Sequence, residues 1–204
     1  MSECGNLFAD PQTISSPTRP ALVRRPHLVE RLQAGLSGPL TLVSAPAGTG
    51  KTTLLSEWRA GLGCRTPVAW ISLDAADNDP LRFFQYLLAA LDRLQPGIVQ
   101  EIHPYLQTSE KPNTEAILIL LVNALGGLSQ DFALVLDDYH VIQTQAIHEA
   151  LTFILDNLPP CMHLVLLTRI DPSLPLARLR ARGTRTGIWK HPQPLQPTST
   201  PSHQ

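Results

Sequence analysis

Four short apolar runs punctuate the chain, and each gives way to small or polar residues. They span 40–44 (LTLVS), 67–73 (PVAWISL), 132–136 (FALVL) and 163–168 (HLVLLT). Runs of this length, rich in Val, Leu and Ile, fit strands buried on both faces, as in a parallel sheet. Between them the apolar spacing changes to three and four residues, which predicts helices over 51–62, 80–94, 114–126, 145–157 and 175–182. Gln95-Pro96-Gly97 stops one helix and Lys111-Pro112-Asn113 precedes another. Asp79 followed by Pro80 reads as an N-cap with proline in the first helical turn. Strands alternating with helices predict an α/β fold, a parallel sheet of four to five strands flanked by helices. The crossover between the second and third strands carries more than one helix.

The first strand runs into a loop, SAPAGTGKTT, that turns helical at Lys51. A loop wrapped around a di- or triphosphate must point successive backbone N–H groups inward, and Gly48 and Gly50 permit the angles this needs. Ala47, Gly48, Thr49, Gly50, Lys51, Thr52 and Thr53 are therefore candidate nucleotide-binding residues. Lys51 is placed to reach the β- and γ-phosphates, and Thr52 to put a hydroxyl on Mg²⁺. The helix N-terminus adds free N–H groups and a positive dipole end. One position departs from the usual G-x-x-x-x-G-K-[ST] pattern: Ala45 stands where glycine is usual.

The third strand delivers Asp137 and Asp138 at its carboxyl end, the edge of a parallel sheet where ligands bind. Asp137 is the candidate metal residue, partner of Thr52, and Asp138 the candidate for orienting or deprotonating an attacking water. An Asp-Asp pair also serves simply to end a strand and cap a turn. The fourth strand delivers Arg169 to the same edge, where a guanidinium can contact a γ-phosphate; a surface arginine after a strand is the plainer alternative.

The segments LVRRPHLVERL, LTLVSAPAGTGKTTLLSEW, VAWISLDAADNDPLRFFQYLLAAL, LVLDDYH and LVLLTRIDPSLPLARLRARG together resemble the nucleotide-binding domain of MalT-type, LuxR-family transcriptional activators. These belong to the signal-transduction (STAND) P-loop ATPases, whose nucleotide domains act as slow ATP/ADP switches. The resemblance covers residues 15–183 and implies ATP or ADP with Mg²⁺ as ligands. It implies that Val23, Arg24 and Arg25 pack beside the adenine and that Gly50, Lys51 and Thr52 hold phosphate and metal. Asp137 and Asp138 match the metal and water-activating acids, and Arg169 the γ-phosphate sensor. For His140, in the matching DDYH, a place beside the nucleotide and a packed or turn-capping place are both open. Asp77, Asn78, Asp79 and Pro80 match a DNDP segment to which no catalytic role is assigned. By analogy with P-loop proteins that carry an extra catalytic acid, the expected strand order is second, third, fourth, first, with a fifth edge strand missing or vestigial.

Composition narrows the picture. A formal net charge of −1 over 204 residues leaves no electrostatic footprint for direct DNA binding, and Arg178, Arg180, Arg182 and Arg185 read as the solvated face of a terminal helix. The scattered Cys4, Cys64 and Cys161 fit a reduced cytoplasmic protein. His103, His148 and His163 have no ligand spacing, and Phe83, Phe84 and Tyr86 read as helix core. No run approaches the roughly 20 apolar residues of a membrane helix, and no dinucleotide fingerprint is present.

Residues 1–14 are expected to be loose, 15–183 to form one ATP-binding domain, and 184–204 to be a Pro/Ser/Thr-rich tail in which only 187–190 could hold a short edge strand. Relatives of this kind continue into further domains and a DNA-binding helix-turn-helix. The change of character after Arg182 leads to the expectation of a truncated or frame-shifted product. The resulting reading is an ATP-switch module, with self-association through its nucleotide-binding domain as the protein partner contact. Its alternatives are a small P-loop kinase and an inactive fragment.

Overall fold

The computed structural model describes residues 25–62, 66–107, 114–181 and 187–190. Helix α1 (Pro26–Gly35) leads into β1 (Leu40–Ser44) and α2 (Lys51–Leu62). Then come β2 (Val68–Ser72), a 3-10 turn over Ala75–Asn78, α3 (Pro80–Asp92), α4 (His103–Gln107) and α5 (Thr114–Gly126). The chain continues through β3 (Phe132–Asp137), a second 3-10 turn over Tyr139–Val141, α6 (Gln145–Asp156), β4 (Met162–Thr168), α7 (Leu176–Ala181) and β5 (Gly187–Lys190). All strand pairings are parallel, in the order β2-β3-β4-β1-β5.

That order agrees with the expected one, with a correction at the edge. A fifth strand is present: Gly187–Lys190 pairs with β1 from Thr41 to Ser44, because the otherwise open side of β1 offers unpaired backbone groups to any extended segment within reach. Two helices were not anticipated. Helix α1 starts at Pro26, whose fixed φ suits the first helical position, and buries Leu28 and Leu32 one turn apart. Its apolar face is short: beside that pair, Val29 and, just past the helix, Leu36 pack partly buried against the same core. The five-residue α4 is too short to show a period at all.

Side chains alternate across the central strands, so each supplies two cores. Leu40 and Leu42, Leu134 and Leu136, and Leu164 and Leu166 face the larger core beneath α3, α5 and α6. Val43, Ala133, Val135, Val165 and Leu167 face the smaller core under α1 and α2, where they meet Leu54, Leu55 and Trp58. Burying each such aliphatic side chain is worth roughly 1.5–3 kcal/mol, and this two-sided burial makes the sheet a rigid base for the loops at its carboxyl edge. The register aligns Ser44 with Thr168 and Ser72 with Asp137, so the strand ends that carry the candidate chemistry stop on one line.

The amino edge is tied by His163. Its Nε2 lies 3.0 Å from Thr41 Oγ1 and its Nδ1 bonds the Gly38 carbonyl, joining β4 to the α1–β1 turn. A cleft of about 260 Å³ opens there, lined in part by Ser37, Asp131, Cys161 and His163. It lies at the opposite edge from the glycine-rich loop, and both His163 nitrogens and the Cys161 thiol, which donates to the Leu125 carbonyl, are engaged. Cys4 and Cys64 lie outside the described residues. Among the described residues no helix is long and apolar enough to cross a membrane.

Candidate functional site

The loop between β1 and α2 has the backbone that its glycines suggest. Gly48 and Gly50 take φ of 76° and 79°, in the left-handed region. A Cβ at Gly48 would meet nothing within 4 Å and one at Gly50 only Thr53 Cβ at 3.9 Å, so backbone conformation rather than space requires glycine there. Ala45 differs. It is buried, its N–H donates to the Thr168 carbonyl at 3.1 Å as a continuation of the β1–β4 ladder, and its φ is not positive. The departure from the usual pattern thus falls where alanine meets no conformational penalty.

Lys51 is 8% exposed, and its ammonium donates to the carbonyls of Ala45 at 2.7 Å and Pro46 at 3.1 Å. The cation is held inside the loop's own curve. Burial lowers its pKa below the usual lysine value, Asp138 opposes that, Arg169 adds to it and Asp137 opposes it. Thr49 Oγ1 donates to the Pro46 carbonyl at 2.9 Å, closing the loop from its other side. Arg25, at the start of α1, donates from Nη1 to the Thr49 carbonyl at 3.0 Å, so the segment before α1 is anchored on the loop. Val23 and Arg24 lie outside the described residues.

Across the sheet edge, Thr52 Oγ1 donates to Asp137 Oδ2 at 2.9 Å. The other carboxylate oxygen of Asp137 accepts from the Asp138 N–H at 2.9 Å. Asp137 is only 3% exposed, and burial raises its pKa above the ordinary carboxylate range against the pull of its hydrogen bonds. A hydroxyl and a buried carboxylate touching at the first turn of a phosphate-loop helix form a donor set of the hard oxygen type that suits Mg²⁺. The loop, Lys51, Thr52 and Asp137 together fit a Mg²⁺-nucleotide.

Asp138 has φ 55° and ψ 34°, the one positive-φ non-glycine among the described residues. This conformation, which aspartate tolerates better than most residues, turns the chain sharply out of β3. The carboxylate is 40% exposed, with Oδ1 3.7 Å from Arg169 Nη2 and 3.6 Å from His140 Nδ1. Arg169 follows Thr168, whose buried hydroxyl donates to the Ile170 carbonyl at 2.6 Å and sets the exit of β4. Every predicted site residue that the structure describes therefore borders the carboxyl edge.

Asn78 has a role that sequence reasoning missed. Its Oδ1 accepts from the N–H groups of Gln143 and Thr144, its Nδ2 donates to the Val141 carbonyl, and Thr144 Oγ1 donates to its carbonyl. It thereby clamps the segment after Asp138 to the loop after β2. Asp79 caps α3 by accepting from the Arg82 N–H, and the buried Asp77 holds Arg82 Nε at 2.9 Å. The DNDP run is a structural brace, and only a partner more than sixty residues away makes the Asn78 part visible.

A parallel sheet with a left-handed glycine loop, a buried lysine and a Thr–Asp pair at its carboxyl edge defines a P-loop nucleoside-triphosphatase domain. Cdc6p from Pyrobaculum aerophilum shares the fold, with a TM-score of 0.55 at 19% identity over 85% of this chain and 47% of that one. No family model matches the chain. In sequence it is 39% identical over 193 residues to the HTH-type transcriptional regulator MalT of Serratia proteamaculans, covering 91% of this chain and 21% of the relative. The MalT of Cronobacter sakazakii is 38% identical over 169 residues, 81% of this chain and 18% of the relative. Over most of its length the chain is a homologue of the MalT-type regulators, and it spans about a fifth of the length of those relatives.

Proposed function

We propose that the chain is an ATP-binding signal-transduction module of the STAND, LuxR-family kind, in which slow ATP hydrolysis acts as a regulatory switch. The observation that carries the proposal is the hydrogen bond between Thr52 and Asp137, which joins the phosphate-loop helix to the acidic strand in the arrangement a Mg²⁺-triphosphate needs. In this reading Lys51 leaves the Ala45 and Pro46 carbonyls for the β- and γ-phosphates, and the N–H groups of residues 47–53 surround the phosphate oxygens. Thr52 and Asp137 hold Mg²⁺, which when bound neutralises charge on the phosphate oxygens. Asp138 accepts the proton of a water aligned with the γ-phosphorus, giving ADP and phosphate, and Arg169 contacts the γ-phosphate and so distinguishes ATP from ADP. Val23, Arg24 and Arg25 border the adenine. Self-association through this domain and a reduced, cytoplasmic setting belong to the same proposal, which assigns no direct DNA contact to this region.

Equilibrium binding of a fluorescent ATP analogue with Mg²⁺, beside a slow phosphate-release assay, tests it. Lys51→Ala removes a charge-assisted contact worth about 1.5–3 kcal/mol, so binding should weaken on the order of 10- to 100-fold. Asp138→Asn should keep binding and abolish release. A folded wild-type chain that binds no nucleotide would overturn the reading.

A further inference from the structure

Asp138, His140 and Arg169 form a group of three at the carboxyl ends of β3 and β4. The left-handed turn at Asp138 feeds directly into the 3-10 turn Tyr139–Val141, and this folds His140 back beside the carboxylate two residues before it. A single oxygen, Asp138 Oδ1, faces two nitrogens: Arg169 Nη2 at 3.7 Å and His140 Nδ1 at 3.6 Å. Both distances exceed the roughly 2.7–2.9 Å of a closed charge-assisted hydrogen bond, so the oxygen is shared and bound tightly by neither.

The two partners differ in freedom. The Arg169 side chain is 46% exposed, whereas that of His140 is 16% exposed, and its Nδ1 is buried without a hydrogen-bond partner. Leaving a buried polar nitrogen unsatisfied carries a desolvation cost, so such a group in a folded protein calls for a structural or functional explanation. Among the described residues, the carboxylate set beside that nitrogen as an ion-pair neighbour is Asp138.

We propose that His140 is a positioning residue for Asp138: its Nδ1–H takes the carboxylate when Arg169 turns to the γ-phosphate of a bound nucleoside triphosphate. The inference rests on the assignment of Asp138 as the water-orienting acid and adds a second anchor for it. A guanidinium cannot close on a phosphate oxygen and on Asp138 Oδ1 with the same N–H. Without His140, a carboxylate released by Arg169 would keep its left-handed backbone but lose its side-chain orientation. The groups that act on His140 are Asp137 and Asp138 from the end of β3, Arg169 from the end of β4 and Lys51 from α2. Burial, helped by Arg169 and Lys51, favours the neutral ring. A neutral donor orients the carboxylate while leaving it the full negative charge it needs to take a proton from water.

The test compares His140→Ala, His140→Asn and His140→Gln, because an asparagine amide reproduces an Nδ1–H donor and a glutamine amide does not. In phosphate release with Mg²⁺-ATP, His140→Ala and His140→Gln should lose about tenfold in kcat with KM within about twofold, and His140→Asn should recover most of it. Equal loss in all three variants, or a loss confined to KM, would overturn the proposal. Imidazole ¹H–¹⁵N spectra give a second readout that needs no turnover and no nucleotide. In Arg169→Ala, where the competitor is gone, His140 should be the neutral Nδ1–H tautomer, and in Asp138→Ala the Nε2–H tautomer. An Nε2–H ring in Arg169→Ala would overturn the proposal even in a chain that never hydrolyses ATP, whereas a silent wild type with the expected tautomers would overturn only the hydrolytic switch.

Discussion

The Thr52 hydroxyl donates to Asp137 Oδ2 across 2.9 Å, joining residues 85 positions apart and closing the gap between the phosphate loop and the acidic strand. Asp137 pays for that place in desolvation, since it is almost completely buried and its pKa is raised.

A raised carboxyl pKa means that the folded chain holds a proton the unfolded chain has already released. The ionised carboxylate therefore costs stability that begins as pH rises above the unfolded value of 3.8 and is complete above the raised folded value. In buffer free of Mg²⁺ and nucleotide, Asp137→Asn should melt above wild type at pH 7, and the difference should shrink as pH falls toward 3.8. Thermal melts across that range check it. A gap independent of pH would mean that the carboxylate's ionisation is not the cause.

Ala45 and Gly48 predict opposite outcomes for opposite substitutions. Ala45→Gly restores the usual loop pattern but should leave nucleotide affinity within about twofold and cost about 0.5–1 kcal/mol of stability, because a buried alanine of ordinary φ becomes a freer residue. Gly48→Ala should cost about 1–2 kcal/mol of loop strain in spite of the empty space around it, since φ is 76°. Nucleotide titrations with chemical denaturation on both variants separate the two effects.

Asp138 occupies a left-handed backbone that asparagine also adopts readily and alanine does not. Asp138→Asn should match wild type in stability, and Asp138→Ala should lose roughly 1 kcal/mol by denaturant unfolding. Equal stability of the two variants would show that the turn relaxes out of this conformation.

Buried histidines set the acid limit. His148 accepts or donates to the Tyr139 hydroxyl at 2.6 Å, His163 bridges Gly38 and Thr41, and burial lowers the pKa of both below 6.5. A folded-state pKa below the unfolded one gives stability that is full above pH 6.5 and is lost as pH falls from there toward the folded value, because the unfolded chain takes the proton first. The melting temperature should therefore drop between pH 6.5 and 5, and His148→Gln should flatten part of that slope while losing on the order of 1 kcal/mol at pH 8.

The elements that could be read along the chain were those with their information in adjacent residues. The strand of LTLVS, the helix beginning at Lys51, the cap at Asp79 and the two left-handed glycines each follow from local spacing and backbone preference, and the structure has them at those residues. Lys51, Thr52, Asp137 and Arg169 could be nominated for the same reason: a strand end is visible in sequence, and in a parallel sheet all such ends face one edge. Helix α1 escaped because its apolar face is short, whereas 187–190 was legible as a possible edge strand and only its pairing was not, because its partner, the open side of β1, is remote in sequence. What only the tertiary structure decided is which polar atoms meet. The Thr52–Asp137 bond, the Arg25 strut on the Thr49 carbonyl, the Asn78 clamp and the unpartnered His140 nitrogen beside Asp138 depend on distances of a few ångströms between segments far apart along the chain. Hydrogen bonds and ion pairs act only at that range, so no pattern of apolar spacing encodes them; the packing of two hydrophobic cores against one sheet does.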